Sequence, residues 1–317
     1  MTNENMHNLS VGELALQQDM REPAYSFVFG TVIAFGLPLN AVSLWILLCH
    51  HSRKTPSSVF MVHLAVSDLV LVISLPMRVY FYATGTWPVG SMACIWATML
   101  FRNNIRSSSI FITFISVDRL LAVVYPLKSR PLRTPSKACK AAATVWLFLL
   151  AVNIPESVNL SRLLNNSSTP ACFQFYPAEV DRKLHTSAAA YFQLVLLFFM
   201  LAVNVVSTAL VSWTLRKHVN EAAARVNNKV NVMLIFAMNL TMFTVFFLPV
   251  SLVVFFNDWR PALNCLASVN CCLDPLLYYF SFDGFWKRKE DVDSSLARDQ
   301  CLSMNRQGQQ RQEEPFQ

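Results

Sequence analysis

The sequence predicts an all-α membrane protein, a seven-transmembrane helix bundle, on three observations. Of the 317 residues, 54% are hydrophobic and only 14% are charged, against about 45–50% and about 25% in soluble domains. Apolar runs of about 20 residues, which can cross a hydrocarbon core about 30 Å thick, recur along the chain. Most basic residues lie in the short polar connections between these runs.

Seven apolar segments are long enough to span the membrane. They run over residues 25–49, 57–82, 91–124, 138–158, 186–215, 226–257 and 261–281. Residues 1–24 are a polar amino-terminal tail without a signal-peptide pattern, so the first span is expected to act as its own membrane signal. Residues 282–290 alternate aromatic and basic side chains, which predicts a short amphipathic helix on the membrane surface. Residues 291–317 are polar and expected to be disordered.

Lys and Arg residues occur mainly in alternate connections. They are Arg53, Lys54, Lys128, Arg130, Arg133, Lys137, Lys140, Arg216, Lys217, Arg225, Lys229, Lys287, Arg288 and Lys289. By the positive-inside rule these connections are cytoplasmic, and the amino terminus is extracellular. The net charge of +7 is therefore assigned to topology rather than to nucleic-acid binding.

Four Asn-x-Ser acceptor patterns for glycosylation fall on the predicted outer side, which supports the same orientation. They are Asn8, Asn159, Asn165 and Asn166. Of the eight cysteines, Cys94 at the outer start of the third span and Cys172 in the second outer connection are both placed on the oxidising side. We predict that these two form a disulfide across the mouth of the bundle.

Several polar residues lie at membrane depth, where a charged side chain costs roughly 2.5–3.5 kcal/mol on insertion scales. These residues are Asn40, Asp68, Ser108, Asn270 and Asp274. Two carboxylates and three neutral oxygen ligands could bind a sodium ion or share protons. The alternative is a hydrogen-bonded cluster that only joins helices.

Three arginines lie closer to the predicted outer side. Arg78 is about 15 Å beyond the polar residues of the second span, at 1.5 Å per residue, and Arg102 and Arg106 share one face of the third span. Guanidinium groups in this region suit an anion, with phosphate or carboxylate as the best match. The alternative is that they extend to the membrane surface or pair with Glu156 and Asp181.

Short motifs in six of the seven spans resemble those of the rhodopsin-like (class A) G-protein-coupled receptors. They are Gly36-x-x-x-Asn40, Leu64-Ala65-x-x-Asp68, Cys94, Asp118-Arg119-Leu120, Trp146, Pro249 and Asp274-Pro275-Leu276-Leu277-Tyr278. Four longer stretches, 36–40, 74–78, 115–119 and 270–280, are similar to the purinergic-like branch. Within that branch the chain is most similar to the lysophosphatidic acid receptors, especially type 5.

The resemblance implies a receptor without enzymatic activity at the plasma membrane, in which an outer ligand shifts the bundle toward a packing that admits a heterotrimeric G protein. It implies coupling and switch roles for Asp118, Arg119, Phe247, Pro249, Asp274, Pro275 and Tyr278. Phe247 takes the place of the family's usual Trp, and Pro249 is expected to kink the sixth helix. Serines of the tail are candidates for phosphorylation that recruits arrestin.

The resemblance also implies a ligand, an anionic lipid such as lysophosphatidic acid. A phosphate near charge −2 suits two or three arginines, and an acyl chain contributes about 0.8 kcal/mol for each CH₂ buried. Arg78 matches a phosphate-binding position of the family, whereas Arg102 and Arg106 stand where close relatives usually carry uncharged residues. A nucleotide or a small carboxylate therefore stays open, as do a transporter or channel and a scavenger that binds without signalling.

The connection between the sixth and seventh spans is unusually short for this family. Only 26 residues separate Pro249 from Pro275, so either the connection is naturally short or a segment is missing. With a turn at 257–261, Arg260 becomes a rim residue and a further ligand-binding candidate.

Overall fold

The computed structural model describes residues 3–49, 55–85, 87–165, 172–173, 188–217, 223–252 and 259–279, and for residues 3–22, 163, 188–190 and 223–231 it describes the backbone alone. Long helices occupy nearly all of these ranges. They are α1 (Asn3–Cys49), α2 (Pro56–Thr84), α3 (Gly90–Val124), α4 (Pro135–Asn165), α5 (Ala188–Lys217), α6 (Ala223–Thr241, Met242–Phe247 and Leu248–Ser251) and α7 (260–279).

Six helices in the described part of the chain are long and apolar enough to cross a membrane. They correspond to α1–α6, and in α1 the apolar part is Pro23–Cys49. Helix α7 is the seventh, and it carries the buried polar residues Ser268, Asn270 and Asp274 on its inner face. The predicted all-α bundle of seven helices is therefore confirmed.

Three helix boundaries differ from the predicted ones. Helix α1 begins at Asn3, well before the predicted span, and α4 continues to Asn165 instead of ending near residue 158. Helix α7 begins at residue 260 rather than after a turn at 257–261. Pro261 therefore lies in its first turn, where the missing N–H of proline is tolerated because no intrahelical partner exists there.

Several predicted segments lie outside the described residues. They are most of the short connection before α7, the amphipathic segment 282–290 and the polar tail 291–317.

Helix α2 has clear sequence signals at both ends. Thr55 caps its start, because the Thr55 hydroxyl accepts a hydrogen bond of 3.2 Å from the Ser58 N–H, and Pro56 follows at the first helical position. Gly85 ends it in the left-handed conformation, with φ 66°, and the Gly85 N–H donates to the Phe81 carbonyl at 2.8 Å. These caps fix the depth of the polar residues within α2.

Helix α3 lies at the centre of the bundle, in contact with α2, α4, α5 and α6. The Cys94–Cys172 disulfide joins the amino-terminal end of α3 to the connection after α4, with the Cα atoms 5.7 Å apart. The predicted disulfide is confirmed.

Helices α1, α2 and α7 approach closely at Gly36. A Cβ on Gly36 would lie 2.9 Å from Cys271 Sγ and 3.3 Å from Val72 Cγ2, so only glycine fits without displacement. Asn40, one turn later, donates to the Gly36 carbonyl at 3.0 Å and to the Cys271 carbonyl at 2.7 Å. The Gly36-x-x-x-Asn40 motif is therefore the packing and hydrogen-bonding contact between α1 and α7.

Helix α6 contains a π-helical segment, Met242–Phe247, that the sequence pattern did not predict. The Leu248 N–H donates to the Phe243 carbonyl, five residues earlier. Phe247 is fully buried and meets Phe243 edge-to-face at 5.5 Å between ring centroids. Pro249 lies two residues after this segment, so the irregularity predicted at the proline extends back over the preceding turn.

Candidate functional site

The Arg78 guanidinium is enclosed by two aromatic rings at the end of the bundle that holds the Cys94–Cys172 disulfide. Its Cζ atom lies 4.3 Å from the ring centroid of Phe101 and 4.3 Å from that of Phe173. Phe173 directly follows the disulfide residue Cys172 and has φ 67°, an uncommon conformation for a bulky residue. Arg78 is only 3% exposed. The Cys94–Cys172 disulfide therefore positions the Phe173 ring over Arg78.

Arg106 forms a network with α4 and α5. Its Nη1 atom donates to Asn153 Oδ1 at 3.0 Å, and its Nη2 atom donates to Glu156 Oε1 at 2.6 Å and Gln193 Oε1 at 2.9 Å. The side chain is buried. For Arg106, the predicted alternative of pairing with Glu156 is therefore the one observed. The main contribution of Arg106 is to join α3, α4 and α5.

Arg102 is held much less tightly than Arg106. Its Nη1 atom lies 3.6 Å from Glu156 Oε2, and its side chain is 27% exposed. Among the described residues, this is the one ion pair of Arg102, and Glu156 Oε2 accepts no hydrogen bond there. Two guanidinium groups share one carboxylate, so the local net charge stays positive. Asp181, the other suggested partner, lies outside the described residues.

Arg260 is at the start of α7 and half-buried. This position fits its prediction as a rim residue rather than as part of the Arg102–Arg106 cluster. Of the four predicted ligand-binding arginines, Arg102 and Arg106 are linked most directly, because both contact Glu156. Arg78 instead lies against Phe101 and Phe173.

A buried polar core lies deeper in the bundle, around Asp68. Asn104 donates to Asp68 Oδ1 at 2.9 Å and also reaches Ser108 Oγ at 3.3 Å. Asn270 donates to Asp274 Oδ2 at 2.8 Å, and the carboxyl groups of Asp68 and Asp274 interact directly. The structure thus brings together four of the predicted core residues and adds Asn104. Asn104 precedes Ser108 by four residues, about one helical turn, and this spacing was the sequence signal that could have placed Asn104 on the same face of α3.

Several oxygens of this core and of the predicted core residue Asn40 have no hydrogen-bond partner among the described residues. They are Asn40 Oδ1, Asp68 Oδ2, Asn270 Oδ1 and Asp274 Oδ1. A buried polar atom without a partner is costly, and two adjacent carboxylates repel unless a proton or a cation lies between them. Hard cations take oxygen ligands, so these residues fit a sodium ion, and a proton shared by the Asp68 and Asp274 carboxyl groups fits them as well.

A second polar network joins α3, α5 and α6, and the sequence reasoning missed it. The Ser116 hydroxyl donates to Asn204 Oδ1 at 2.6 Å, and Asn239 donates to Ser116 Oγ at 2.7 Å. Asn204 also donates to Thr113 Oγ1 at 3.0 Å. The only sequence signal for this network was that Asn204 and Asn239 each lie within an apolar span. That signal does not identify Ser116 as their shared partner. The network connects to α6 just before its π-helical segment.

Near the carboxy-terminal end of α3, Asp118 pairs with Arg133 of the following connection. Arg133 Nε lies 2.7 Å from Asp118 Oδ1, and Nη2 lies 3.2 Å from Oδ2. The Ser57 hydroxyl donates to the same carboxylate. The bidentate contact of the Asp118 carboxylate is thus with Arg133, and the coupling role that the resemblance implies for Asp118 and Arg119 stays a prediction.

The other predicted switch residues lie along α3, α6 and α7. Arg119 is half-buried, and its Nε atom has no hydrogen-bond partner among the described residues. Tyr278 is buried one turn after Asp274, and its hydroxyl is likewise unpartnered within the described chain. Pro275 is buried within α7, and Pro249 is half-buried in α6.

The predicted glycosylation sites differ in how far the structure describes them. Asn159 and Asn165 are exposed, but they lie in α4 rather than in a loop. Asn8 lies in α1, where only the backbone is described, and Asn166 lies outside the described residues. All four stay predictions.

Comparison with known proteins agrees with this arrangement. Residues 39–278 match the model of the 7 transmembrane receptor (rhodopsin family). Lysophosphatidic acid receptor 6 of Mus musculus is 32% identical over 82% of this chain and 80% of its own length. Lysophosphatidic acid receptor 4 of Homo sapiens is 30% identical over 90% and 80%, and lysophosphatidic acid receptor 5 of Bos taurus 32% over 88% and 81%. The predicted similarity to this receptor group is confirmed, and the near-equal identities favour no single type.

Proposed function

The chain belongs to the rhodopsin family of seven-transmembrane receptors, and from this premise we propose that its ligand is lysophosphatidic acid or a related lysophospholipid. The receptor would couple ligand binding on the extracellular side to heterotrimeric G proteins on the cytoplasmic side. The amino terminus is extracellular in this proposal, as the basic connections require. The observation that carries the ligand assignment is that Arg78 and Arg102 both lie toward the end of the bundle that holds the Cys94–Cys172 disulfide, Arg78 against Phe173 and Arg102 only loosely paired.

The geometry assigns different tasks to the arginines. Arg102 is partly exposed and only loosely paired, so it can meet a phosphate first. Arg78 is covered by Phe173, so a phosphate must displace that ring to reach it. A charge-assisted hydrogen bond contributes about 1.5–3 kcal/mol, so two such contacts would favour a dianionic headgroup. Arg106 is committed to Asn153, Glu156 and Gln193 and would hold the third helix in register.

The inner end offers the signalling surface of the proposal. Ligand binding would favour a packing in which α6 moves about its π-helical segment and Pro249. That movement would uncover Arg119 for the G protein while Arg133 keeps Asp118 paired. Arrestin recruitment through serines of residues 291–317 and glycosylation of the outer asparagines belong to the same proposal.

The test is a concentration–response measurement of G-protein activation in cells that express the full chain. Lysophosphatidic acid should activate the wild type. Arg78→Gln and Arg102→Gln should each raise the half-maximal concentration by about 10- to 100-fold, as the loss of about 1.5–3 kcal/mol predicts. Lys140→Gln, exposed at the opposite end of the bundle, is the matched control and should respond normally.

Surface labelling of an amino-terminal epitope on intact cells should accompany each measurement, because it tests both orientation and expression. A response to nucleotides or small carboxylates but not to lysophospholipids would replace the ligand assignment. Ligand-dependent ion or solute flux without G-protein activation would favour a transporter or channel. Binding without either response would favour a scavenger.

A further inference from the structure

A cleft of about 210 Å³ opens between the inner ends of α2, α3 and α4. The cleft and the arginines Arg78, Arg102 and Arg106 lie at opposite ends of the bundle. The cleft is therefore separate from the proposed ligand site. We propose that this cleft binds an anionic phospholipid of the cytoplasmic leaflet. The proposal rests on the proposed orientation of the receptor, but not on the identity of its activating ligand.

The walls of the cleft suit an acyl chain. Phe60 of α2 and Phe114 of α3 face it with their rings 5.2 Å apart between centroids. Ala138 and Ala141, one turn apart on α4, line the opposite side. These two small side chains leave the space between α4 and its neighbours. A soluble anion would use only the rim of such a cleft, whereas an acyl chain buries its apolar wall.

The rim of the cleft has a net positive charge. Its charged lining residues are Asp118, Arg133 and Lys137, so two cations and one carboxylate leave one positive charge. Arg133 is paired with Asp118, which leaves Lys137 as the uncompensated group. Lys137 is exposed, and its ammonium donates one hydrogen bond, to the Pro131 carbonyl at 2.8 Å. An ammonium has three donors, so two can meet a phosphodiester that carries one negative charge.

The position of the cleft along the bundle favours the same occupant. It is formed by the first turns of α2 and α4 and by the last turns of α3. This is the end at which the basic connections lie, and the cytoplasmic leaflet is the one that carries anionic lipids. A lipid phosphate bound by Lys137 would also lie beside the Asp118–Arg133 pair, which lines the same cleft. Lipid binding would therefore affect the region of Asp118 that is proposed to couple to the G protein.

The test uses the purified full-length chain in nanodiscs of equal parts phosphatidylcholine and phosphatidylserine. Bound lipid is then counted by native mass spectrometry after transfer to detergent. The wild type should retain phosphatidylserine several-fold over phosphatidylcholine. Lys137→Gln should reduce that preference toward equality. Lys140→Gln is the matched control, because Lys140 is exposed on the same helix but does not line the cleft, and it should behave as the wild type.

A second variant separates headgroup from acyl-chain binding. Ala141→Trp fills the cleft and should lower retention of both lipids, with thermal unfolding used to verify that the variant is folded. Equal losses for Lys137→Gln and Lys140→Gln would overturn the proposal, because they would indicate non-specific surface charge. Unchanged retention in both Lys137→Gln and Ala141→Trp would also overturn it. A missing response to lysophosphatidic acid would contradict the proposed function but leave this result intact.

Discussion

Two arginines one helical turn apart have different roles because their surroundings differ. Arg106 is 9% exposed and donates to three side chains from two other helices, whereas Arg102 is 27% exposed and makes one ion pair of 3.6 Å in the described structure. Residue type and spacing could predict that both face the same way. They could not predict whether Glu156 would lie closer to Arg102 or to Arg106, since that depends on how α4 is rotated about its axis.

This difference predicts opposite rankings for stability and ligand response. Arg106→Gln leaves Glu156 without its closest partner, and breaking a buried pair from one side costs about 3–5 kcal/mol. Arg102→Gln removes a partly exposed contact that contributes about 1 kcal/mol or less. Thermal unfolding in detergent should therefore show a much larger fall in midpoint for Arg106→Gln. Equal falls for the two variants would contradict the assignment of Arg106 as the structural arginine.

Glu156 competes with any anion for Arg102. Glu156→Gln keeps the size of the side chain but removes its charge, so the potency of lysophosphatidic acid should rise several-fold. Gln193→Glu adds a second carboxylate for Arg106, which would leave Glu156 freer to pair with Arg102, and should lower potency. The paired concentration–response curves, corrected for surface expression, measure both effects. A shift of both variants in the same direction would contradict the competition.

At the scale of helices, the contact between α1 and α7 depends on the absence of a side chain at Gly36. Gly36→Ala places a Cβ 2.9 Å from the buried Cys271 Sγ, and overpacking of this kind typically costs about 1–3 kcal/mol. Gly30→Ala is the matched control, because nothing lies within 4 Å of its Cβ. This change should stabilise α1 by about 0.5–1 kcal/mol through helix propensity.

The measurement is the thermal unfolding midpoint of the three proteins in the same detergent. Gly36→Ala should fall below the wild type and Gly30→Ala should rise slightly above it. Adding Cys271→Ala to Gly36→Ala should recover part of the loss, since it removes the sulfur that the new methyl meets. A Gly36→Ala protein as stable as Gly30→Ala would show that α1 and α7 separate easily at this point.

The sequence predicted the helices well and their irregularities poorly. Hydrophobicity located the six described helices that are long and apolar enough to cross a membrane, and also α7, because the membrane imposes the length of its spans. The π-helical segment Met242–Phe247 was missed, since its residues have the same apolar composition as an ordinary α-helical turn. The extension of α4 to Asn165 was missed because that stretch is polar, and hydrophobicity only locates the part of a helix that lies in lipid.

For the whole molecule, polar contacts occur at successive depths along α3. Arg106 joins it to α4 and α5, Asn104 to α2, Ser116 to α5 and α6, and Asp118 to α2 and the inner connection. The sequence predicted several of these polar residues individually because charges at membrane depth are rare. Their partners come from other helices, often 36 to 123 positions away, so they depend on packing that no local pattern specifies.

The polar core around Asp68 leads to a prediction about the stability of the entire bundle. Sodium bound by Asp68, Asn270 and Asp274 would link α2 to α7 and stabilise the folded receptor in proportion to RT ln(1 + [Na⁺]/Kd), about 1.4 kcal/mol at ten times Kd. The unfolding midpoint should therefore rise when N-methylglucamine chloride is replaced by sodium chloride at constant ionic strength. Asp68→Asn removes one carboxylate from the core and should abolish this rise. Ser116→Ala alters the separate network of α3, α5 and α6 and should keep it. No difference between the two salts in the wild type would mean that the core joins helices through hydrogen bonds or a shared proton alone.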